Sequence, residues 1–262
     1  MIIDTHTHAW PDSVARKALA GSVPDLERRG DGTIAGLRAS MQSAGIDLSV
    51  CLGVANHGTS VDKANAFSAG LDSDQFVGFG SVHPDLSPEE NIESLRRHGL
   101  KGAKIHPFFQ NYSLDDDRLA PTLDAMQGEF AAIIHVGSIS TASSRGVCSP
   151  TMLADLVRRF PRLDVVACHF GGYQQFEEAA EVVVGLPVYL DTSWPPGLAE
   201  VDPEAVRKVI KKHGTDRILF ASDWPMADQT AELEAIHALG FPDDDNEQIL
   251  GLNAARLLGL AH

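Results

Sequence analysis

The chain has 262 residues, of which 44% are hydrophobic, and its formal net charge is −15, from 21 Lys and Arg against 36 Asp and Glu. This length predicts one domain over residues 1–262, and the negative charge argues against a nucleic-acid partner. The longest apolar runs are far shorter than the ~20 residues of a membrane span, so no membrane partner is expected. The N-terminus lacks a signal-peptide pattern and no C-x-x-C pair occurs, which predicts reduced thiols and a cytoplasmic protein.

Strand and helix patterns alternate along the chain. Strands are predicted at residues 2–5, 49–54, 75–82, 102–106, 131–136, 163–169, 188–192 and 217–222. Helices are predicted at 34–44, 63–71, 88–98, from after 117 to 127, at 150–160, up to 184, at 203–213, 231–239 and 246–258. The segment between the first strand and residue 34 is predicted to begin as a loop carrying Trp10-Pro11. Ser87-Pro88-Glu89-Glu90 is typical of a helix start, with a capping serine and a returning carboxylate.

Eight short strands rich in Val, Ile and Leu, each followed by a helix, indicate an α/β protein with a parallel sheet buried on both faces. For that number of strands we expect a (β/α)₈ TIM barrel. An open doubly wound sheet is the alternative. It normally has a glycine-rich phosphate loop after its first strand, whereas this chain has Thr5-His6-Thr7-His8 there.

A pair of histidines follows the first predicted strand. In an extended backbone alternate side chains share a face, so His6 and His8 are expected to point the same way. Imidazole is a common neutral ligand for zinc and related metals, and two of them make half of a metal site. On this pair alone, metal ligation and two hydrogen-bonded histidines at a strand end are both open.

Polar side chains recur at the ends of the other predicted strands. In a (β/α)₈ barrel the carboxyl ends of the strands carry the functional groups. The residues at these ends are His6, His8, His57, His83, His106, His135, His169 and Asp223. Taken singly, each has the alternative of a hydrogen bond to a neighbouring loop, but their joint placement favours one shared site. The remaining histidines, at 98, 213, 237 and 262, fall at helix ends or at the C-terminus and are assigned no chemistry.

Several motifs resemble the amidohydrolase superfamily, and more narrowly its amidohydrolase-related branch, which includes aminocarboxymuconate-semialdehyde decarboxylase and the resorcylate-type decarboxylases. These motifs are Ile-Asp-Thr-His-Thr-His at 3–8, Gly-Ala-Lys-Ile-His-Pro at 102–107, Ile-His-Val-Gly at 134–137, Cys-His-Phe-Gly-Gly at 168–172 and Ile-Leu-Phe-Ala-Ser-Asp-Trp-Pro at 218–225. The tail at 253–258 is also similar. The resemblance spans nearly the whole chain, and its motifs are specific for the superfamily rather than for a substrate.

The resemblance implies one divalent metal ion, with zinc expected, held by His6, His8, His135 and Asp223. Independently, three imidazoles and one carboxylate form a site that still has room for a water. The resemblance further implies that His169 is a proton shuttle or an electrostatic partner. The alternative for His169 is a buried histidine bonded to the following glycine turn. In hydrolytic relatives the residue corresponding to Asp223 also takes up the proton of the water.

Other residues at this end of the barrel are candidates for specificity. His106 shares a strand face with Lys104, and either side chain could enter the barrel. A carbamylated Lys104 bridging two metals is the alternative to a mononuclear site. Arg145 could clamp a substrate carboxylate as a bidentate fork or could be a solvated loop charge. Trp194 could wall a pocket for a ring or could be core packing.

These features predict a metal-dependent hydrolase that acts on a small amide, lactone or ester through a metal-activated water. The first alternative is a non-oxidative decarboxylase of an aromatic or dienoic acid on the same site. A metal-free lactonase and a non-catalytic barrel that binds a ligand are further alternatives. The loops are short, so either the pocket is open or a neighbouring subunit covers it, and on the second option we expect a homodimer.

Overall fold

The computed structural model describes residues 1–20, 27–139 and 146–260. Eight parallel strands form one sheet in which neighbours follow the chain order. They are β1 Ile3–Thr7, β2 Leu48–Leu52, β3 Phe76–Ser81, β4 Gly102–Ile105, β5 Ala131–Ile134, β6 Val165–Ala167, β7 Tyr189–Asp191 and β8 Ile218–Leu219. Helices separate the strands, and the fold is the predicted (β/α)₈ TIM barrel.

Helices occupy most of the connections between strands. They are α1 Asp12–Ala20, α2 Ile34–Ala44, α3 Val61–Ala69, α4 Pro88–Arg97, α5 Pro107–Gln110, α6 Ala120–Met126, α7 Pro150–Arg159, α8 Phe176–Val182, α9 Pro203–His213, α10 Gln229–Ala238, α11 Asp243–Glu247 and α12 Asn253–Leu258. Most lie within a few residues of their predicted positions. No helix among the described residues has the length and apolar character needed to cross a membrane.

Two helices were missed by the sequence analysis. The prediction of a loop around Trp10-Pro11 was wrong beyond Pro11, because α1 begins directly after it. The Pro11 carbonyl accepts hydrogen bonds from the amides of Val14 and Ala15, at 2.8 and 3.0 Å, so the proline starts the helix instead of interrupting the chain. Pro107 likewise opens the short helix α5.

The chain divides into two compact units. Unit 1 comprises Met1–Cys51, Ser73–Val77 and Asp191–His262, and unit 2 comprises Leu52–Asp72 and Gly78–Leu190. The expectation of one domain over residues 1–262 stays a prediction.

In unit 1 the first and last strands of the chain lie side by side. The Thr5 amide donates to the Phe220 carbonyl at 2.9 Å, and the Asp223 amide donates to the His6 carbonyl at 2.8 Å. On its other side β1 pairs with β2, with Ile3 opposite Leu48. The chain segments that carry His6 and Asp223 are therefore held together by their own backbones.

In unit 2 two neighbouring parallel strands bring two histidines level with each other. Ile105 at the end of β4 is opposite Ile134 at the end of β5. The next residues, His106 and His135, therefore leave the sheet at the same height. Strands β4 and β5 also approach closely, since a Cβ at Gly102 would lie 2.1 Å from the Ala131 carbonyl oxygen. Only glycine fits there without displacing the strand.

Candidate functional site

Three side-chain atoms of unit 1 form a nearly equilateral triangle. His6 Nε2 lies 3.2 Å from His8 Nε2, and Asp223 Oδ1 lies 3.3 Å from His6 Nε2 and 3.4 Å from His8 Nε2. Ligands placed tetrahedrally around zinc, with bonds of ~2.0–2.1 Å, are about 3.3–3.5 Å apart. Two imidazoles and a carboxylate also suit zinc and its first-row neighbours chemically. The donor set and its spacing therefore fit a divalent metal ion.

Asp223 reaches this triangle through an uncommon backbone conformation. Its φ is +65°, in the left-handed region that side chains other than glycine rarely adopt. The conformation is fixed on both sides, because the Asp223 amide bonds to His6 and its carbonyl accepts the Met226 amide, both at 2.8 Å. A left-handed residue costs ~1–2 kcal/mol, and such strain often marks functional positions.

A second carboxylate orients His6. Asp191 Oδ2 lies 2.8 Å from His6 Nδ1, and the Asp191 side chain is fully buried. Its other oxygen, Oδ1, accepts the Ser193 hydroxyl at 2.6 Å and the Ser193 amide at 3.2 Å. Because an ionised carboxylate only accepts, Nδ1 of His6 carries the hydrogen and Nε2 presents its lone pair towards the triangle.

The sequence analysis missed Asp191. The signal was available, since Asp191 is an acidic residue that closes a strand of otherwise apolar and aromatic residues. The same signal identified Asp223 at the end of the next predicted strand. Asp191 was overlooked because its segment matches none of the motifs that carry the family resemblance.

Asp4 joins the two ligand-bearing segments. Its carboxylate accepts four hydrogen bonds, from Ser222 Oγ at 2.5 Å, Gln229 Nε2 at 2.7 Å, the Ser222 amide at 3.0 Å and the His6 amide at 3.1 Å. Burial raises the pKa of Asp4 to about 6, although these hydrogen bonds act in the opposite direction. Asp4 thus holds the main chain of His6 and of the residue that precedes Asp223.

The triangle is buried on His6 and slightly exposed on His8 and Asp223. The His6 side chain is 1% exposed, whereas those of His8 and Asp223 are 12% and 11% exposed. Trp10 stacks on His8 with ring centroids 6.1 Å apart. Catalytic metal sites keep one position open for water or substrate, and structural sites are closed. The partial exposure of His8 and Asp223 is therefore typical of a catalytic site.

Three further predicted site residues lie together in unit 2. The rings of His106 and His135 stack with centroids 4.1 Å apart and an interplanar angle of 11°. His169 Nε2 lies 3.1 Å from His135 Nδ1. Like Asp223, His169 has a positive φ, of 58°. The His169 carbonyl accepts the Gly172 amide of the following glycine turn at 2.9 Å, and the role of the His169 side chain stays a prediction.

A buried glutamine fixes His106. Gln110 Oε1 accepts the His106 amide at 2.8 Å and the Tyr112 hydroxyl at 3.0 Å. Its amide nitrogen donates to the Val82 carbonyl at 2.8 Å. The Gln110 backbone carbonyl also lies 3.2 Å from His83 Nε2. His83 is therefore satisfied by neighbouring loop atoms, as the alternative for strand-end histidines expected.

The remaining predicted residues have different surroundings. Lys104 is fully buried and donates to the Cys168 thiol at 3.0 Å, while the carbamylated-lysine alternative stays a prediction. Trp194 is buried in unit 1, and His57 is exposed. Arg145 lies outside the described residues. All three cysteines are buried thiols, and burial raises the pKa of Cys148 far above its ordinary value.

Solved structures similar to this chain are TIM-barrel proteins and enzymes of small carboxylated compounds. One is an uncharacterised TIM-barrel protein from Bordetella bronchiseptica, with a TM-score of 0.79, 20% identity and 98% of each chain covered. A second is a 5-carboxyvanillate decarboxylase from Novosphingobium aromaticivorans in complex with manganese and 4-hydroxy-3-methoxy-5-nitrobenzoic acid, with a TM-score of 0.74, 17% identity and coverage of 99% of this chain and 96% of that one. A third is a probable 2-pyrone-4,6-dicarboxylic acid hydrolase from Acinetobacter baumannii with citric acid bound, with a TM-score of 0.69, 17% identity and 99% of each chain covered.

At these identities the structural likeness shows the fold alone. No curated protein matches the chain at a significant level. The family model described as amidohydrolase, in contrast, matches residues 3–260, which include all of the predicted metal ligands. The chain belongs to the amidohydrolase family.

Proposed function

We propose that this protein is an enzyme, a metal-dependent hydrolase that acts on a small amide, lactone or ester. The observation that carries the proposal is the triangle of His6, His8 and Asp223, which is spaced for a divalent ion and partly exposed at His8 and Asp223. His135, the fourth ligand predicted from the sequence, completes the proposed donor set. Zinc is the expected metal.

The residues of the chain have separate roles in this proposal. When bound, a divalent ion supplies Lewis acidity, which polarises a substrate oxygen and favours the deprotonation of water. Asp223 offers a carboxylate that can accept the proton lost by the attacking water. Asp191 keeps the hydrogen of His6 on Nδ1, so that His6 acts as a ligand and takes no part in proton transfer.

His169 is assigned the donation of a proton to the leaving group; Asp223 then releases the proton of the water to solvent, and His169 takes up a proton from solvent. An imidazole pair connected by one hydrogen bond can carry the hydrogen on either ring, and His169 and His135 form such a pair at 3.1 Å. Positioned general acids and bases contribute ~10²–10⁴-fold to enzymatic rates. His106 and Trp194 stay predicted substrate contacts, as does Arg145.

Decarboxylation of an aromatic or dienoic acid is the second candidate. It is favoured by the similarity to the 5-carboxyvanillate decarboxylase of Novosphingobium aromaticivorans over 99% of this chain. In this reaction His169 would protonate the carbon atom that loses carbon dioxide, and no water would attack. The location in the cytoplasm and the homodimer stay predictions.

Elemental analysis combined with a substrate screen tests the proposal. We expect one divalent ion per chain, and hydrolysis of a member of a panel of amides, lactones and esters. The double variant His6→Ala with His8→Ala should lose the ion and at least ~10³-fold in kcat/KM, since metal assistance contributes several kcal/mol.

Turnover that survives chelation would contradict the proposal, as would full metal content in the double variant. Release of carbon dioxide from a parallel panel of carboxylic acids, without hydrolysis of the first panel, would favour the second candidate. An exposed control on α4, Glu93→Ala, should keep both metal and turnover.

A further inference from the structure

A buried polar chain lies behind the metal-ligand segments of unit 1. Gln229 and Glu232 are three residues apart on α10, so their side chains are neighbours on one face of the helix, and both are buried. Gln229 Nε2 donates to Asp4 Oδ2 at 2.7 Å. Glu232 Oε1 accepts the Leu198 amide at 2.9 Å. Asp4 in turn holds His6 and the residue before Asp223.

The row of buried side chains formed by Glu232, Gln229 and Asp4 has more hydrogen-bond acceptors than donors. Within the ranges that the structure describes, no donor reaches the buried Glu232 Oε2 or the buried Gln229 Oε1. An amide oxygen only accepts, and so does an ionised carboxylate. Buried acceptors without a donor are costly and rare in native proteins. Two buried acceptors without a donor thus lie three residues apart on one face of α10, and a single proton on Glu232 Oε2 would turn one of them into a donor.

The charged side chains that act on Glu232 are all carboxylates. Asp4 from β1, Asp223 from the segment after β8 and Asp228 at the start of α10 all act on Glu232 in the direction that disfavours its ionisation. From the turn Leu198–Glu200, the Leu198 amide donates to Glu232. Burial is the larger cause, and together these effects raise the pKa of Glu232 from 4.5 to about 8.

We propose that Glu232 is a protonated positioning residue, which donates its hydrogen to Gln229 and so completes the chain from Glu232 through Gln229 to Asp4. Gln229 is then held at both ends of its amide group, and its nitrogen is directed at Asp4. Asp4 keeps His6 in register with Ser222. The effect on metal binding rests on the proposed function, whereas the protonation of Glu232 does not.

The neutral variant Glu232→Gln tests whether Glu232 carries a proton in the folded protein. Its amide nitrogen can donate to Gln229 at every pH, as the protonated acid does below its pKa. Wild-type stability should therefore fall relative to Glu232→Gln as the pH rises from about 4.5 towards 8, and the difference should level off above that. Between pH 5 and pH 8 we expect the ratio of the two unfolding constants to change at least ~10-fold.

Glu234→Gln is the matched control, because Glu234 is an exposed residue on the same helix. Its stability difference from wild type should stay flat across this pH range. A flat difference for Glu232→Gln as well would overturn the proposal, since Glu232 would then be ionised throughout. Failure of Glu232→Gln to fold would also overturn it, because that side chain has the shape of the protonated acid.

Metal affinity provides the readout for positioning. With chelator-buffered Zn²⁺ as the probe, wild-type affinity should fall ~10-fold relative to Glu232→Gln between pH 7 and pH 9, as expected for loss of an outer hydrogen bond. Glu232→Ala should be weaker than Glu232→Gln at every pH. Equal pH profiles for wild type and Glu232→Gln would overturn the positioning role. If wild type and Glu232→Gln bind no Zn²⁺ while the pH-dependent stability difference appears, the proposed function fails and the assignment of the proton stands.

Discussion

The histidines of unit 1, His6 and His8, and those of unit 2, His106, His135 and His169, form two clusters whose side-chain neighbours differ. In unit 1, His6 lies between Asp191 and Asp223, with carboxylate oxygens 2.8 and 3.3 Å from its two ring nitrogens. In unit 2, His135 Nδ1 faces the imidazole of His169 at 3.1 Å and its ring stacks on His106. A carboxylate fixes the tautomer of an imidazole, whereas a second imidazole lets the hydrogen sit on either ring. Under the proposed function, the fixed tautomer suits His6 to hold a cation, while the hydrogen shared with His135, itself a proposed ligand, suits His169 to transfer a proton.

Replacing His169 should separate these roles most strongly. In His169→Asn we expect kcat to fall by ~10²–10⁴-fold, because the variant cannot deliver a proton near neutral pH. Elemental analysis should still find one metal ion per chain. Loss of the metal together with activity would place His169 in the first role and would break the distinction between the clusters.

Replacing Asp191 should have a smaller effect, which lowers metal affinity and largely spares kcat. In Asp191→Asn the side chain keeps its shape but presents a different hydrogen-bonding group to His6 Nδ1, so the lone pair on Nε2 is no longer fixed. We expect affinity for the metal to fall ~10–100-fold, measured by competition with a chelator. At saturating metal kcat should recover most of its wild-type value. A variant with unchanged affinity would remove Asp191 from the metal site.

A substitution remote from both clusters sets the baseline. Ser87 caps α4 through a reciprocal pair of hydrogen bonds with Glu90, at 2.8 and 3.2 Å. Ser87→Ala should lower the free energy of unfolding by ~1 kcal/mol, measured by urea denaturation, with metal content and kcat unchanged. An effect of this variant on metal affinity would show that the changes expected above report general stability.

The fold was predictable because its signals are local. The α2 helix begins and ends where the pattern indicated, at Ile34 and Ala44, and the start at Ser87 is a complete capping box. α1 was missed because Trp10-Pro11 indicates a loop as readily as a helix start. Seven of the eight strands end earlier than predicted, as in β8, which covers only Ile218–Leu219, whereas β1 extends further, to Thr7. The bending of the chain that ends a strand depends on tertiary contacts, which the local pattern does not contain.

The candidate site was predictable only in part. Residues that contribute a distinctive donor, such as His6 and Asp223, can be recognised from type and spacing. Asp191 closes a strand as Asp223 does, but its contact with His6, 185 residues away, cannot be read from the sequence. The burial of Glu232 beside other carboxylates likewise depends on the tertiary fold. The positive φ values of Asp223 and His169 are likewise imposed by the surrounding fold. The assignment of His6, His8, His135 and Asp223 to one metal stays a proposal.

The bonds between Asp4 and Ser222 join positions 218 residues apart. At a synthesis rate of ~5–20 residues per second, Ser222 is added to the chain roughly 10–45 seconds after Asp4. A nascent chain therefore carries His6 and His8 for much of its time on the ribosome without the carboxylate that completes the triangle. If the triangle binds an ion as proposed, uptake is a late event, and a chain interrupted before residue 223 should be unable to retain a cation there.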